Sequence, residues 1–438
     1  MKTVLVLGAG RVSSPCIDYL VRKGNCKVVA ADIVEENVKV AAALFPSIIS
    51  VTEDAGNKAV ELIDRFSADA VVNLLPPEFM PSVSKICLEK KVHMVHPAYL
   101  DEPTKKIAEE VKAAGVTFVV ELGLDPGIDH MSAAKTITEI HDRGGKVDSF
   151  TSFCGALPSA EANTNPWGYK LSWSPSSLIG ASKRTAKVMF DEKEYIWPDG
   201  ETYAHAYLDE VPELGAFEVY ANADSTVYKD GYSIPEVKSI YRGTYRYPGW
   251  CETICYMNRI GFFDTHVQDT KGLTFAQFTA RQAGRSGDAK KALCDIFGLE
   301  PWSAFIMRME WIGFFEDRPL LFETASAREV ISFLFAEKLV FAPEEKDLVI
   351  LKDEVRFTTR EGKRYAHKSV LIDFGIPGKW SSVARTTGVP PAIAAKLILD
   401  GVIKTPGILM PMAREVYEPI LAELVSEDIV LKESLSEL

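Results

Sequence analysis

The sequence predicts an α/β protein that begins with a doubly wound parallel sheet. Three observations predict this fold class. Short apolar segments rich in branched residues alternate with helical patterns over residues 1–125. The first apolar segment ends at a glycine-rich turn, and the second ends at an aspartate. This succession is typical of βαβ units, whose parallel strands are buried on both faces.

The first βαβ unit starts with Val4–Leu7, an apolar segment expected to be a buried strand. The strand leads into Gly8–Ser13, which reads Gly-x-Gly-x-x-Ser and precedes a helical pattern. This is a close variant of the dinucleotide-binding fingerprint, although an ordinary strand–turn–helix is the alternative. Gly8 permits the tight turn, and Gly10 lets the backbone approach a pyrophosphate at the helix N-terminus. The predicted cofactor-binding residues of this turn are Gly8, Gly10, Arg11 and Val12.

The second strand, Val28–Ala31, ends at Asp32, which lies 19 residues after Ser13. The fingerprint places an acid here that accepts hydrogen bonds from a ribose 2′-hydroxyl. Because a carboxylate repels a 2′-phosphate, the sequence predicts NAD as the cofactor and disfavours NADP. The alternative is that Asp32 is a solvated residue at a strand end.

The remaining elements of this first part continue the alternation. Four more strands are predicted at Ile48–Val51, Ala70–Leu75, Val92–Val95 and Val116–Val120, with helices at Asn57–Arg65, Pro81–Glu89 and Thr104–Ala114. Ligands of doubly wound sheets bind at the carboxyl ends of the strands beside the switch point. We therefore expect Leu75 and Pro76, at the end of the fourth strand, to bind the cofactor.

The composition excludes several classes of function. Asp and Glu number 61 and Lys and Arg number 49, so the net charge is −12. That charge argues against non-specific binding to nucleic acid or to an anionic membrane surface. No apolar run reaches about 18 residues, so no membrane-spanning helix is predicted. The seven cysteines are scattered and the histidines do not cluster, which indicates a reduced, cytoplasmic protein without a metal.

A distinctive junction, Glu121–His130, follows the sixth predicted strand. Within it Asp125-Pro126-Gly127 suits a type II turn, in which proline fixes φ and glycine accepts a positive φ. Asp129 is then expected to cap a helix over Met131–Glu139. From local sequence alone, Asp125 and Asp129 are turn and cap residues rather than catalytic groups.

Beyond the junction the alternating rhythm ends, and three segments have the composition of a binding surface: Phe153–Pro158, Asn165–Pro175 and Arg242–Gly249. If the third is a strand, Arg242, Thr244 and Arg246 lie on one face. Guanidinium groups there suit a ligand rich in carboxylates, because arginine binds carboxylate in a bidentate manner. The alternative is an exposed sheet face with solvated arginines.

Taken together, the chain resembles the saccharopine dehydrogenase family, in its glutamate-forming branch (saccharopine reductase). The matching segments are Gly8–Pro15, Glu121–Met131, Asn165–Pro175, Arg242–Gly249, Gly388–Gly401 and Tyr417–Leu421. The resemblance thus covers nearly the whole chain, and the junction motif is its most specific part.

The resemblance implies three domains, which agrees with a chain of 438 residues at roughly 150 residues per domain. A Rossmann-type dinucleotide-binding domain would comprise residues 1–126 and about 385–438. An α/β (α+β-like) substrate and dimerisation domain would comprise about 127–265 and 330–384, so a homodimer is implied. A small helical insertion would span about 266–329, with Leu273–Leu299 as its helical candidate.

The resemblance also implies a reaction. It is the NAD-linked interconversion of saccharopine, a secondary amine of lysine metabolism, with L-glutamate and 2-aminoadipate 6-semialdehyde. The family pattern places Tyr99, Asp125 and Cys154 at the active site, with Tyr99 and Asp125 also contacting the substrate, and leaves their acid–base roles open. Cys154 is alternatively a small buried residue. For His96 and His130 the family implies no role, and both are expected to be structural.

Further binding residues follow from the same resemblance. Thr244, Tyr245 and Arg246 match the family's contacts to substrate carboxylates. Leu124 and Asp125, in the junction, complete the predicted cofactor-binding set. No metal ligand is implied.

Two departures from the family pattern weaken the prediction of the substrate. Ala223 stands where the family has an arginine that binds a substrate carboxylate, and Ala98 stands where it has a serine before the active-site tyrosine. Another cation, such as Arg242, would have to compensate. Two alternatives therefore remain: an imine or carboxyamine reductase of polyamine metabolism, and a non-catalytic nucleotide-binding scaffold.

Overall fold

The structure is a computed structural model that describes residues 1–438. The chain forms two compact units, one from Met1–Val147 with Asp353–Leu438 and one from Asp148–Lys352. Residues 266–329 belong to the second unit, and the division of the chain into three domains stays a prediction.

The strands, in chain order, are β1 (Thr3–Leu7), β2 (Lys27–Asp32), β3 (Ile49–Thr52), β4 (Ala70–Asn73), β5 (His93–Val95), β6 (Thr117–Val119), β7 (Lys146–Pro158), β8 (Ala186–Phe190), β9 (Lys193–Trp197), β10 (Tyr207–Val211), β11 (Gly215–Ala221), β12 (Ser239–Arg246), β13 (Val267–Asp269), β14 (Thr324–Ser326), β15 (Asp347–Thr358), β16 (Arg364–Phe374), β17 (Gly407–Leu409) and β18 (Lys432–Glu437). The helices are α1 (Ser13–Lys23), α2 (Glu35–Leu44), α3 (Ala59–Phe66), α4 (Met80–Lys90), α5 (Glu102–Lys106), α6 (Ala108–Ala113), α7 (Ile128–Asp142), α8 (Pro175–Ala181), α9 (Tyr228–Gly231), α10 (Trp250–Arg259), α11 (Phe275–Gln282), α12 (Ala289–Phe297), α13 (Ala304–Ile312), α14 (Ala327–Lys338), α15 (Ser382–Leu399) and α16 (Arg414–Val425). None of these helices is long and apolar enough to cross a bilayer.

The first unit is built on a seven-stranded parallel sheet in the order β17-β6-β5-β4-β1-β2-β3. The first six strands have the order of a Rossmann-type doubly wound sheet, which confirms the predicted fold class. β1 lies between β2 and β4, with Leu7 opposite Asn73, so the strand order reverses between β1 and β4. The ligand crevice of such a sheet lies at this switch point, beyond the carboxyl ends of the two strands.

The core of this sheet explains its apolar sequence. All five residues of β1 are buried, and Leu5, Leu7 and Val71 pack with side chains of the helices that cover the sheet. Strands covered on both faces read as continuous apolar runs, which is why the strand predictions agree with the structure to within two residues.

The predicted helices differ from the structure in two places. The single helix predicted over Thr104–Ala114 is wrong, because Ile107 separates α5 from α6. The Ile107 N–H donates to the Thr104 carbonyl in a tighter turn, and Asp101 caps α5 by accepting the Thr104 N–H. α2 has no counterpart among the predicted helices, since only Val38 and Ala41 of it are buried and the apolar pattern is weak.

α15 (Ser382–Leu399) begins before the matching segment Gly388–Gly401. It starts at Ser382, after Ser381 accepts the Ala384 N–H as an N-cap, and both Pro390 and Pro391 lie inside it. A Cβ added to Gly388 would lie 2.2 Å from the carbonyl oxygen of Val12. Glycine there lets α15 approach the glycine-rich turn, so packing rather than local propensity sets the length of this helix.

The second unit contains a mixed sheet. Its strands run in the order β10-β11-β12-β7-β15, and β8 and β9 extend it from β12. β11 is antiparallel to both β10 and β12, whereas β12 is parallel to β7. β12 contains Arg242 to Arg246, so the segment predicted conditionally as a strand is one. The helical candidate Leu273–Leu299 contains α11 and α12.

Candidate active site

The glycine-rich turn has two glycines with different requirements. Gly8 has φ +95°, and an added Cβ would lie 3.1 Å from the Leu74 backbone, so the protein itself requires glycine there. At Gly10 an added Cβ would meet nothing within 4 Å. α1 begins after Val12 without a side-chain cap, and only its first N–H, that of Ser13, donates back to the Gly10 carbonyl at 3.2 Å in the turn. Open space beside Gly10 and an uncapped helix N-terminus suit the pyrophosphate of a dinucleotide.

Asp32 is buried, with 8% of its surface exposed. One carboxylate oxygen accepts the Ala9 N–H at 2.7 Å, and the other accepts the Val34 N–H at 2.8 Å. The side chain therefore holds the glycine-rich turn against the end of β2. A solvated strand-end residue, the alternative considered for Asp32, is wrong.

The end of β4 places the predicted cofactor residues Leu75 and Pro76 beside the glycine-rich turn. The Leu74 N–H donates to the Leu7 carbonyl at 2.8 Å. Asn73 is fully buried, and its side-chain oxygen accepts the Leu75 N–H at 3.2 Å. A buried amide thus sets the course of the loop after β4.

Two of the predicted active-site residues, Tyr99 and Asp125, are hydrogen-bonded to each other. The Tyr99 hydroxyl donates to Asp125 Oδ1 at 3.1 Å, although 45% of the Tyr99 surface is exposed. Asp125 is partly buried and follows the buried Leu124. A hydroxyl bonded to a carboxylate can pass a proton to or from a nearby amine.

The turn that carries Asp125 differs from the predicted type II turn. The Asp125–Pro126 peptide bond is cis and Gly127 has φ +145°, whereas a type II turn needs about +80° at the glycine. Two hydrogen bonds select this conformation. The Gly123 N–H donates to the Pro126 carbonyl at 2.7 Å, and the Gly127 N–H donates to Asp129 Oδ1 at 2.6 Å.

Asp129 is not the N-cap of the following helix. α7 begins at Ile128, so Asp129 lies inside its first turn and Gly127 is the N-cap. A carboxylate in the first turn is still favourable, because it faces the positive end of the helix dipole. His130 is fully buried, with Nε2 at 3.4 Å from Glu121 Oε2.

In the second unit, Arg246 is buried without an acidic partner. Its Nη1 donates to the Tyr245 carbonyl at 2.7 Å, and its Nε has no acceptor. Three aromatic rings surround the guanidinium, with centroids at 4.9 Å (Tyr169), 5.5 Å (Trp250) and 5.9 Å (Tyr220). The nearest acid by strand register, Glu218, accepts the N–H groups of Gly249 and Cys251 instead. A buried cation with unused donors suits an anionic ligand.

Arg242 and Thr244 lie on the same strand face as Arg246. The Arg242 guanidinium lies 4.3 Å from the centroid of the Tyr228 ring. Its backbone N–H donates to Ser225 Oγ, and its carbonyl accepts the Asn222 N–H. The loop that contains Ala223 is therefore bonded to the strand at Arg242, next to where the family pattern has its arginine.

Cys154 and Tyr245 are placed differently. Cys154 lies opposite Thr244 across the parallel pair of β7 and β12, so the two side chains share a face. Tyr245 points to the other face and is fully buried. Its hydroxyl donates to Asp209, which forms an ion pair with Lys352 at 2.9 Å. The structure thus separates Tyr245 from Thr244 and Arg246.

Three aromatic residues around Arg246 are absent from the predicted site: Tyr169, Tyr220 and Trp250. Tyr169 lies in the segment Asn165–Pro175, which the sequence does mark as a binding surface. The indole N–H of Trp173 donates to the Tyr169 hydroxyl at 2.7 Å, so the segment is folded onto the arginine. Tyr220 and Trp250 carry no sequence signal of their own, because only the tertiary fold brings them to Arg246.

Two family models match nearly the whole chain. The saccharopine dehydrogenase NADP binding domain matches residues 4–119, and the saccharopine dehydrogenase C-terminal domain matches residues 123–430. The chain belongs to the saccharopine dehydrogenase family. This confirms the resemblance drawn from the sequence motifs and makes the protein an oxidoreductase.

Relatives in this family match this chain over nearly its full length. A Saccharomyces cerevisiae protein named saccharopine dehydrogenase [NADP(+), L-glutamate-forming] is 33% identical, over 99% of each chain. An Arabidopsis thaliana alpha-aminoadipic semialdehyde synthase is 33% identical over 98% of this chain and 44% of its own length. The apo structure of the S. cerevisiae saccharopine dehydrogenase (L-Glu forming) superposes with a TM-score of 0.91 at 32% identity, covering both chains completely.

The prediction of NAD as the cofactor is wrong. The matching nucleotide-binding family model is of an NADP binding domain, and relatives from S. cerevisiae and Pyricularia oryzae are named for NADP(+). The prediction assumed that the Asp32 carboxylate faces a ribose. In the structure both of its oxygens accept backbone N–H groups, so this carboxylate fixes the turn.

We predict that Gly8→Ala and Gly10→Ala have separable effects. Gly8→Ala should lower the free energy of unfolding by about 1–3 kcal/mol, because of its positive φ and its contact with Leu74. Gly10→Ala should leave that free energy within about 0.5 kcal/mol but weaken NADPH binding at least about tenfold. Urea unfolding and NADPH fluorescence titration measure the two quantities. Unchanged NADPH affinity in Gly10→Ala would contradict a dinucleotide at this turn.

Proposed function

We propose that the protein catalyses the NADP(+)-linked interconversion of saccharopine with L-glutamate and 2-aminoadipate 6-semialdehyde. Family membership and the names of full-length relatives support this reaction. The observation that carries it is the buried Arg246, which has an aromatic enclosure and no acid of its own. Such a group is suited to a substrate whose carboxylates must be bound away from water.

Arg246 would bind a substrate carboxylate. A guanidinium has five N–H donors, and only one hydrogen bond of Arg246, to the Tyr245 carbonyl, is made within the protein. The rings of Tyr169 and Trp250 keep the side chain in place without neutralising it. A substrate carboxylate would neutralise the guanidinium charge and accept hydrogen bonds from its unused N–H groups. Binding would therefore be strong and selective for an acid.

Tyr99 and Asp125 would handle protons. The proposed reaction cleaves, with water, the bond between the secondary nitrogen and the lysine-derived carbon, and leaves the nitrogen on glutamate. The nitrogen must lose a proton before oxidation and gain one on departure. A hydroxyl that already donates to a carboxylate can perform both transfers. In the second unit Cys154, next to Thr244, stays a candidate catalytic residue.

NADP(+), when bound, supplies the hydride acceptor. The open space at Gly10 and the uncapped N-terminus of α1 would hold its pyrophosphate. Leu75 and Pro76, at the end of β4, would contact the remainder of the dinucleotide. The homodimer and the cytoplasmic location stay predictions.

The test of this function is turnover by the purified protein. Saccharopine with NADP(+) should yield NADPH, L-glutamate and an aldehyde in equal amounts, with a higher kcat/KM than with NAD(+). Two results would contradict the proposal. Reduction only of a diamine with aspartate semialdehyde would support the polyamine alternative, and NADPH binding without any turnover would support a scaffold.

Arg246→Met should raise the KM for saccharopine by about 100-fold, in the range known for truncating one partner of a buried charge pair. The NADPH dissociation constant should not change, because Arg246 lies outside the dinucleotide-binding residues. Arg259→Met is the matched control, since Arg259 is exposed and its guanidinium lies 5.9 Å from the centroid of the Tyr256 ring. An unchanged KM in Arg246→Met would contradict the carboxylate site.

We predict that Arg242 supplies the positive charge that the family pattern has at the position of Ala223. Arg242→Met is expected to raise the KM for saccharopine by about tenfold or more. Adding Ala223→Arg to that variant should restore most of the loss, because the loop of Ala223 is bonded to the strand at Arg242. Steady-state kinetics of the single and double variants decide this. A double variant no better than Arg242→Met would show that Arg242 serves another purpose.

A further inference from the structure

We propose that His96 and Glu121 are positioning residues, which fix the backbone on both sides of Tyr99 and thereby hold its hydroxyl against Asp125. The catalytic consequence rests on the proposed function. The geometry does not, and it lies entirely within the first unit.

His96 fixes the Pro97–Ala98 peptide, one residue before Tyr99. The side chain is fully buried at the end of β5, and its Nδ1 accepts the Ala98 N–H at 2.8 Å. Its carbonyl accepts the Leu122 N–H at 3.1 Å, so the same residue also holds the segment that leads to Asp125. Burial lowers the pKa of His96 to about 4. The ring is therefore neutral at neutral pH, and Nδ1 remains an acceptor.

Glu121 fixes the peptides on both sides of Tyr99. Its Oε1 accepts the Leu100 N–H at 2.9 Å, and its own N–H donates to the Ala98 carbonyl at 3.0 Å. Glu121 has φ +56°, a left-handed conformation that costs a residue with a side chain about 1 kcal/mol or more. Such a conformation persists where the surroundings impose it. Here they include His130, whose Nε2 lies 3.4 Å from Glu121 Oε2.

These bonds matter because Tyr99 itself is nearly half exposed. Packing fixes an exposed ring weakly, so the place of its hydroxyl depends on the backbone at Ala98 and Leu100. The hydroxyl lies 3.1 Å from Asp125 Oδ1, and a shift of less than about 1 Å would take the pair beyond hydrogen-bond distance. The His96 side chain holds the Pro97–Ala98 peptide, the Glu121 side chain holds the Tyr99–Leu100 peptide, and the Glu121 backbone N–H holds the Ala98 carbonyl between them. These bonds provide the necessary constraint.

The first part of the test uses substitutions in the full chain. His96→Leu and Glu121→Ala should each lower kcat for saccharopine by about 10–100-fold, with NADPH affinity unchanged. His96→Asn offers an amide oxygen to the Ala98 N–H, and Glu121→Gln keeps an acceptor for the Leu100 N–H. Both conservative variants should retain kcat within about threefold. His93→Leu is the matched control, because His93 Nδ1 accepts the Thr117 N–H, away from Tyr99.

The second part separates positioning from general stability. In a Tyr99→Phe background, His96→Leu and Glu121→Ala should change kcat by less than about twofold, because the hydroxyl they position is absent. The proposal would be overturned if His96→Leu and Glu121→Ala lowered kcat by the same factor in the Tyr99→Phe background as in the wild type. So would a loss in His93→Leu equal to that in His96→Leu.

The third part does not depend on turnover. Amide hydrogen exchange of residues 97–101, followed by mass spectrometry, should be slow in the wild type. It should rise in His96→Leu and Glu121→Ala but not in His93→Leu. If the wild type does not oxidise saccharopine, the proposed function fails and exchange alone decides the positioning role. Unchanged exchange in both variants would refute it. If one variant does not fold, the other decides, since both residues hold the same segment.

Discussion

The first unit depends on one constraint. Where a loop leaves the parallel sheet, the backbone N–H groups that are buried from water must find hydrogen-bond acceptors within the protein. Buried side chains do this at each strand end near the switch point. Asp32 accepts the N–H of Ala9, Asn73 that of Leu75, and His96 that of Ala98. The loops that carry the proposed dinucleotide-binding and active-site residues are therefore held by hydrogen bonds without being part of the sheet. Loops held in this way can position their side chains as accurately as a reaction requires, although they lie at the edge of the sheet.

The second unit has the opposite arrangement, in which a cationic side chain is buried without an acidic partner. Arg246 lies among Tyr169, Tyr220 and Trp250, which cover the guanidinium without neutralising it. Glu218 is opposite Arg246 by register, but its carboxylate binds the N-terminal N–H groups of α10. An acidic protein with a net charge of −12 thus contains one local, desolvated cation that suits an anionic ligand.

The corrected cofactor prediction follows from the same chemistry that holds the loops. A carboxylate at the end of β2 accepts hydrogen bonds equally well from a ribose hydroxyl or from backbone N–H groups. Sequence spacing cannot distinguish these donors, because it says where Asp32 lies along the chain and not which atoms surround it. In the structure the Ala9 and Val34 N–H groups occupy both oxygens. Asp129 shows a similar ambiguity, since its carboxylate serves the Gly127 N–H from inside the helix.

By itself, the sequence determined the parallel sheet, the glycine-rich turn and the family, because these depend on local periodicity and on short motifs. Buried strands such as Thr3–Leu7 must be apolar, and the turn at Gly8 must be glycine. Only the tertiary structure decided which side chains meet. Tyr99 and Asp125 are 26 residues apart, Arg246 and Tyr169 come from different segments, and Tyr245 points away from its neighbours. The start of α15 and the conformation of the turn at Asp125 were likewise decided by contacts between distant residues. Such contacts leave no pattern along the chain, because the partner that selects a conformation lies elsewhere in the sequence.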